Sequence, residues 1–185
     1  MINEVYAYCD EHMQKSLEHL KHELQGLRTG RATPTLLDNI KVDYYGALTP
    51  LNQCSSINVP EARLLVVQPW DKSIINKIDK AIQSANLGLN PINDGVVIRI
   101  PIPAMTDERR EELVRIVHKM AEEGRIAVRN IRREANDRIK KLEKEKEISE
   151  DDAKAAYDEI QKKTDEYIEK INEAQDEKEK EITEE

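Results

Sequence analysis

The sequence predicts an α+β protein in which a small mixed domain is inserted into an antiparallel bundle of three long helices. Segments 2–27, 107–146 and 150–182 each repeat apolar residues every three or four positions, which is the periodicity of an amphipathic helix. Between the first two of them, residues 32–104 contain short apolar runs separated by Gly, Pro and Asn. That pattern is typical of strands and turns.

The first helix is predicted over residues 2–27. Its apolar stripe consists of Ile2, Val5, Cys9, Met13, Leu17, Leu20, Leu24 and Leu27. The helix should end within RTGRATP, because Gly30 and Pro34 interrupt helical geometry.

The second helix is predicted to begin at Asp107, with Thr106 as its N-cap, and to extend to about Lys146. Its stripe consists of Leu113, Val117, Met120, Gly124, Val128, Ile131, Ala135, Ile139 and Leu142. A third helix should begin after Ser149, with Asp152 placed for a capping box. Each helix has one narrow apolar stripe, and an antiparallel three-helix bundle buries all three.

The inserted segment is predicted to form strands in IKVDYYG, SSINVP, RLLVVQP and VVIRIPIP, a helix in KSIINKIDKAIQSAN and a turn in GLNPINDG. It is too long and too patterned to be a linker. We therefore expect a discontinuous bundle domain (1–30 and 105–185) and an inserted α+β domain (31–104).

The two connections between these domains are short and rich in Gly and Pro, so we expect them to act as a hinge. The predicted hinge residues are Gly30, Thr33, Pro34, Pro101 and Pro103.

Composition narrows the class of protein. The chain is 36% charged, lacks Phe and has a single Trp. Its two cysteines, Cys9 and Cys54, form no paired motif, which fits a reducing compartment. Since the sequence shows neither a targeting segment nor an apolar run of membrane-spanning length, we expect a cytoplasmic protein.

The net charge of -8 is unevenly distributed along the chain. Residues 142–185 carry a net charge of -10, whereas residues 125–141 carry +5. The acidic average therefore does not exclude binding of a polyanion by the central region.

The basic stretch RIAVRNIRREAN stacks arginines on one side of the second helix. On a helical wheel, Arg125, Arg129, Arg132 and Asn136 fall within about 60°. With Arg133, the three arginines form what we call the arginine edge. Like charges at this spacing destabilise a helix by about 0.2–0.5 kcal/mol per pair, so the pattern indicates an external anion such as a row of phosphates. The alternative interpretation is a solvated face whose carboxylate partners come from a neighbouring helix.

No motif in the sequence indicates catalysis. It contains no Gly-rich phosphate loop, GxSxG or HExxH. His12, His19 and His22 lie on the first helix, with His19 and His22 at i, i+3 spacing near Glu18 and Glu23. A metal site is conceivable, but without a third convergent ligand exposed surface histidines are commoner, and no metal or cofactor is predicted. Tyr44 and Tyr45 could stack on nucleobases, although adjacent strand tyrosines more often point one inward and one outward.

Several motifs resemble the ribosome recycling factor family over essentially the full length of the chain. These motifs are LRTGRATPTLLD, VDYYGALTPL, SANLGLNP, IRIPIPAMTDERREELV and GRIAVRNIRREANDRIKKLEKEKEISEDD.

The resemblance implies a monomeric, non-enzymatic translation factor with an L-shaped outline like that of transfer RNA. Such a factor binds the post-termination ribosome and, with elongation factor G and GTP, splits it into subunits. The polyanion would then be large-subunit ribosomal RNA, and Arg132 ranks first among the implied contacts. The full set is Arg28, Arg31, Arg109, Arg110, Arg125, Arg129, Arg132 and Arg133.

Two other functions are compatible with parts of the sequence. A helical-bundle adaptor or chaperone would oligomerise through the apolar stripes, but the inserted domain and the arginine edge favour the translation factor. A metal-dependent enzyme is supported by the histidines of the first helix alone. An elongated monomer on a sizing column would favour the translation factor over the adaptor.

Overall fold

The computed structural model of the chain describes residues 1–184, in two compact units. One unit contains Met1–Arg28 and Asp107–Glu184, and the other contains Thr29–Thr106. These limits lie two residues from the predicted domain boundaries. Glu185, the last residue of the predicted bundle domain, lies outside the described residues.

The regular elements are four α-helices and six strands within the described residues. The helices are α1 (Ile2–Gln25), α2 (Ile75–Ser84), α3 (Asp107–Lys144) and α4 (Glu150–Thr183). The strands are β1 (Lys41–Tyr44), β2 (Ala47–Pro50), β3 (Ser55–Glu61), β4 (Leu64–Pro69), β5 (Ile92–Asn93) and β6 (Ile98–Pro101). The predicted α+β class, with a three-helix bundle and an inserted β/α/β domain, is confirmed.

The first unit is a bundle of α1, α3 and α4, in which α3 runs antiparallel to the other two. Tyr8 near the start of α1 bonds Glu134 late in α3, and Arg125 of α3 bonds Asn172 late in α4. The helices approach closely at Gly124, where an added Cβ would lie 3.5 Å from side-chain atoms of both Leu20 and Ile171. A methyl group there would make ordinary van der Waals contacts with both side chains.

The core stripe of α3 differs slightly from the prediction. The buried residues are Leu113, Val117, Ala121, Gly124, Val128, Ala135 and Ile139. The predicted members Met120, Ile131 and Leu142 are only half-buried, whereas Ala121 was not predicted. The buried stripe of α3 thus combines the small residues Ala121, Gly124 and Ala135 with larger apolar ones.

The predicted start of α4 is confirmed. The Ser149 hydroxyl oxygen accepts the backbone N–H of Asp152 at 3.1 Å, and the Asp152 carboxylate accepts the backbone N–H of Ser149 at 3.2 Å. This reciprocal pair satisfies two of the backbone donors that a helix start leaves open.

The second unit packs α2 against small antiparallel sheets. One sheet pairs β1 with β2, and the other has the strand order β3-β4-β6-β5. Its core includes Leu65, Val67, Ile78, Ile98 and Ile100, each buried. Two strands were not predicted: β2 lies in the proline-containing ALTP, and β5 lies within the predicted turn GLNPINDG.

Tyr44 and Tyr45 differ in burial, although their rings meet edge to face with centroids 4.6 Å apart and Tyr45 lies beyond the end of β1. Tyr44 packs on the core of the second unit, whereas Tyr45 is exposed and donates its hydroxyl to Asp71. Within residues 1–184, no helix has the length and apolar character needed to cross a membrane.

Candidate nucleic-acid interface

Arg125 is the most enclosed member of the arginine edge. Its side chain is 15% exposed. Its NH1 group donates to the Asn172 side-chain oxygen at 2.8 Å and to the Gln175 side-chain oxygen at 3.0 Å, both on α4. Its Nε donates to Glu122 at 2.9 Å. Arg125 therefore joins two helices and retains few donors for an external anion.

Arg129 is less constrained. Its side chain is 39% exposed, and its NH1 group lies 3.2 Å from the second oxygen of Glu122. Glu122 thus bridges Arg125 and Arg129. These two hydrogen bonds, the one from Arg125 being the stronger influence, lower the pKa of the Glu122 carboxyl. Glu122 reaches Arg129 from seven positions, or two turns, away along α3.

Arg132 and Arg133 make few side-chain contacts within the described residues. Arg132 is half-buried and makes one long contact, 3.4 Å, from NH1 to the side-chain oxygen of Gln161 on α4. Arg133 is exposed, and no residue within 1–184 forms an ion pair or side-chain hydrogen bond with it. Five N–H donors on each guanidinium are thus almost fully available to phosphate.

The helix that packs beside the arginine edge contributes amides rather than carboxylates. The partners from α4 are Gln161, Asn172 and Gln175, although α4 is rich in Asp and Glu. An amide oxygen orients a guanidinium without cancelling its charge. The alternative interpretation requires carboxylates from a neighbouring helix. Two carboxylates of α4 lie on this face, with Asp165 accepting from Gln161 and Glu179 accepting from Gln175, but within residues 1–184 neither pairs directly with an arginine of the edge.

The amides are themselves held in place by a hydrogen-bonded network. The Gln175 side-chain nitrogen lies 3.0 Å from His118 Nδ1 and donates to Glu179 at 2.8 Å. His118 Nε2 lies 2.8 Å from the same Glu179 oxygen. With its nitrogen occupied in this way, Gln175 presents its oxygen to Arg125.

The remaining candidate arginines lie away from the edge. Arg109 and Arg110 begin α3, about 22 Å or more along the helix axis from Arg125. Arg109 NH1 lies 2.7 Å from Glu112, and Arg110 NH1 lies 3.5 Å from Asp107. Arg28 is exposed at the end of the first stretch of the bundle unit, and Arg31 is half-buried in the second unit.

Sequence reasoning missed the residues that arrange the edge. Glu122 could have been found, because it lies three positions before Arg125, a spacing that favours an ion pair on a helix. No comparable signal identified Gln161, Asn172 or Gln175, since their approach depends on how α4 packs against α3.

The predicted hinge residues fall into two structural classes. Thr33 and Pro34 start a 3₁₀ turn, and Pro101 ends β6 opposite Leu64, so these three belong to regular structure of the second unit. Gly30 has a φ of +75°, and Pro103 lies between β6 and α3.

The two connecting segments are anchored to the same turn. The backbone N–H of Ala32 donates to the Ala62 carbonyl at 2.7 Å, and that of Ile102 donates to the Arg63 carbonyl at 2.8 Å. Nearer the bundle residues, Gly30 lies against Met105, and an added Cβ at position 30 would approach Met105 Cγ to 2.9 Å.

The histidines of α1 have local contacts. The ring of His12 lies 4.2 Å from that of Tyr8, and His19 Nε2 lies 3.3 Å from Glu23. Among the described residues, no group of three or more His, Cys, Asp or Glu side chains is arranged to hold a metal ion.

Comparison with known proteins identifies a family. The family model described as ribosome recycling factor matches residues 20–183. The ribosome-recycling factor of Syntrophomonas wolfei is 56% identical over 184 residues, which is 100% of both chains. A solution structure of a ribosome recycling factor superimposes with a TM-score of 0.75 at 45% identity, covering 98% of this chain and 96% of that one.

A second solved structure is described as models for the T. thermophilus ribosome recycling factor and the E. coli elongation factor G bound to the E. coli post-termination complex. It matches with a TM-score of 0.66 at 55% identity and covers 98% of both chains. The family match, the full-length identity and the shared fold agree with one another, and the chain belongs to the ribosome recycling factor family.

Proposed function

We propose that this chain binds the post-termination ribosome and, with elongation factor G and GTP, separates it into subunits. Membership of the family supports this function. So does the solved relative described as bound with elongation factor G to the post-termination complex. In this role the chain acts as a non-enzymatic, monomeric factor in the cytoplasm. It binds the ribosome through contacts with ribosomal RNA.

The observation that carries the RNA-binding part of the proposal is the environment of Arg132 and Arg133. Both extend from one rigid helix, and neither is paired with a carboxylate within residues 1–184. The neighbouring α4 supplies an amide oxygen that orients Arg132 and leaves its charge intact. Such a surface suits bidentate contacts with phosphate oxygens.

The candidate arginines therefore have different roles, some contacting phosphate directly and one positioning the others. Arg132 and Arg133 contact phosphate directly, and Arg129 joins them once it leaves Glu122. Arg125 positions the edge by holding α3 against α4. Further RNA contacts are made by the arginines outside the edge, which are Arg28, Arg31, Arg109 and Arg110.

We propose a hinge that contains fewer residues than the sequence predicted. Ala32 and Ile102 are hydrogen-bonded to the second unit, so rotation is confined to residues 28–31 and 103–106. Gly30 and Pro103 remain hinge residues, whereas Thr33, Pro34 and Pro101 move with the second unit.

The direct test is co-sedimentation with isolated large ribosomal subunits across a salt series. Arg132→Glu should weaken binding at least tenfold, since charge-assisted hydrogen bonds contribute about 1.5–3 kcal/mol each. Arg115→Glu is the matched control, because Arg115 lies on the same helix with its side chain 79% exposed. Equal binding by wild type and Arg132→Glu would refute the interface.

A further inference from the structure

Glu122 forms hydrogen bonds with two members of the arginine edge, Arg125 and Arg129. One carboxylate oxygen accepts from Arg125 Nε at 2.9 Å, and the other accepts from Arg129 NH1 at 3.2 Å. Two oxygens of a single anion thus engage two guanidinium groups on successive turns of α3. A phosphate group offers the same arrangement of acceptors.

The two ends of this bridge differ in strength. The Arg125 guanidinium is fixed by Asn172 and Gln175 as well as by Glu122, and little of it is exposed. Arg129 has Glu122 as its single described side-chain partner within residues 1–184, at the longer of the two distances. Arg129 can therefore leave the bridge while Arg125 stays in place.

We propose that Glu122 is an internal competitor for phosphate, which holds Arg129 in the free protein and releases it when RNA binds. The inference rests on the proposed function and adds a regulating residue to the same surface. Hydrogen bonds from the two arginines lower the pKa of the Glu122 carboxyl. Glu122 is consequently ionised at neutral pH, as a competitor must be.

This competition limits the affinity of the edge for any polyanion. Each phosphate contact through Arg129 requires the Glu122 contact to break, so the net gain is the difference between two charge-assisted contacts. An exposed ion pair changes an equilibrium constant by a factor of about 1.4–5. That factor sets the size of the effect that removing Glu122 should have.

The test compares Glu122→Gln with Glu123→Gln. Both substitutions remove one negative charge from the same turn of α3, but Glu123 is exposed and has no described side-chain partner within residues 1–184. Binding is measured to isolated large ribosomal subunits and to a poly(U) oligonucleotide, each over a salt series. Thermal unfolding of every variant identifies any defect in folding.

We expect Glu122→Gln to bind both probes about two- to fivefold more tightly than Glu123→Gln. The plot of log affinity against log salt should steepen by about 0.7–0.9, because the cation released from RNA at Arg129 is no longer offset by one that Glu122 takes up when its contact breaks. In an Arg129→Gln background, Glu122→Gln should have no larger effect than Glu123→Gln, because the competition acts through Arg129.

Three outcomes would overturn the inference. Weaker binding by Glu122→Gln would make Glu122 an orienting residue, and equal binding by the two variants would reduce its effect to bulk charge. A full effect in the Arg129→Gln background would exclude action through Arg129. Failure of the proposed function is recognised separately, since Arg132→Glu would then leave large-subunit binding unchanged while the poly(U) measurements still decide the role of Glu122.

Discussion

At the level of single residues, the arginines of α3 are chemically alike but structurally different. Arg125 donates hydrogen bonds to α4 and to Glu122, whereas Arg133 is exposed. Removing a donor from partners that are already desolvated costs more than removing a solvated one. Stability and RNA binding should therefore depend on different members of the arginine edge.

Replacing Arg125 with Gln should lower the free energy of unfolding by about 1–3 kcal/mol, because Gln175 is buried and its oxygen would lose a donor. Arg133→Gln is the control and should change stability by no more than about 0.5 kcal/mol. Urea unfolding followed by circular dichroism measures both values. Equal stabilities would contradict the bracing role of Arg125.

Asp94 should make the stability of the second unit depend on pH. Its carboxylate accepts the backbone N–H groups of Val97 and Val96 and binds Arg99, which together lower its pKa from 3.8 to about 2. Because the pKa is lower in the folded state, the stabilisation is complete above pH 3.8 and is lost as the pH falls towards 2.

The stabilising effect of Asp94 should therefore disappear in acid. Asp94→Asn should melt below wild type at pH 6, and the difference should shrink as the pH falls from about 4 to 2. Asp38→Asn serves as control, since Asp38 is exposed and has no described side-chain contact within residues 1–184. A difference that stays constant down to pH 2 would rule out this linkage.

At the level of elements, the polar residues of α4 differ from one face of the helix to another. The residues of α4 that approach the arginine edge are amides. The exposed carboxylates Glu173 and Glu177 lie about 100–160° around the helix from Asn172 and Gln175, and the exposed Glu169 lies about 60° from Asn172 and about 120° from Gln175. The α4 groups that contact the arginines are thus amides, with Asp165 and Glu179 behind them, and further carboxylates face solvent.

The connection between α1 and the second unit depends on a glycine. Gly30 combines a positive φ with a close approach to Met105, and Gly88 has a positive φ with open space around it. Gly30→Ala should therefore reduce subunit splitting more than Gly88→Ala, because the new methyl group must displace Met105. Both variants share the cost of a positive φ.

Subunit splitting in the presence of elongation factor G and GTP, followed by light scattering, measures the effect. If the contact with Met105 is responsible, adding Met105→Ala to Gly30→Ala should restore much of the rate. Equal rates for Gly30→Ala and Gly88→Ala would remove the proposed role of this contact.

At the level of the whole molecule, charge is divided between a basic region and an acidic one. Residues 125–141 carry +5, whereas residues 142–185 carry -10. A field of this kind guides one face of a protein towards a polyanion and repels the other. The acidic face of α4 should therefore suppress RNA binding in wrong orientations.

Changing Glu169, Glu173 and Glu177 together to Lys should raise the affinity for a poly(U) oligonucleotide at low salt, because the repulsion is replaced by attraction. The corresponding Gln variant should show a smaller increase. The measurement is fluorescence anisotropy at two salt concentrations. No change for the Lys variant would refute an orienting role for the acidic face.

Most of the architecture could be predicted from local patterns. The capping box at Ser149 and the start of α3 at Asp107 were predicted because helix ends carry their signals in adjacent residues. β2 and β5 were missed because β2 has few apolar residues and ends in Pro, and β5 has two residues inside a segment rich in Gly, Pro and Asn, so both depend on their strand partners. The candidate arginines were found from spacing, but their partners were not.

The sequence by itself determined the fold class, the extent of the helices and the existence of an arginine edge, because periodicity and charge spacing act within one element. Only the tertiary structure decided which arginine the protein uses internally. The amides that hold Arg125 lie 47 and 50 residues away in the chain. Their approach is decided by the packing of α4 on α3, which no local pattern records.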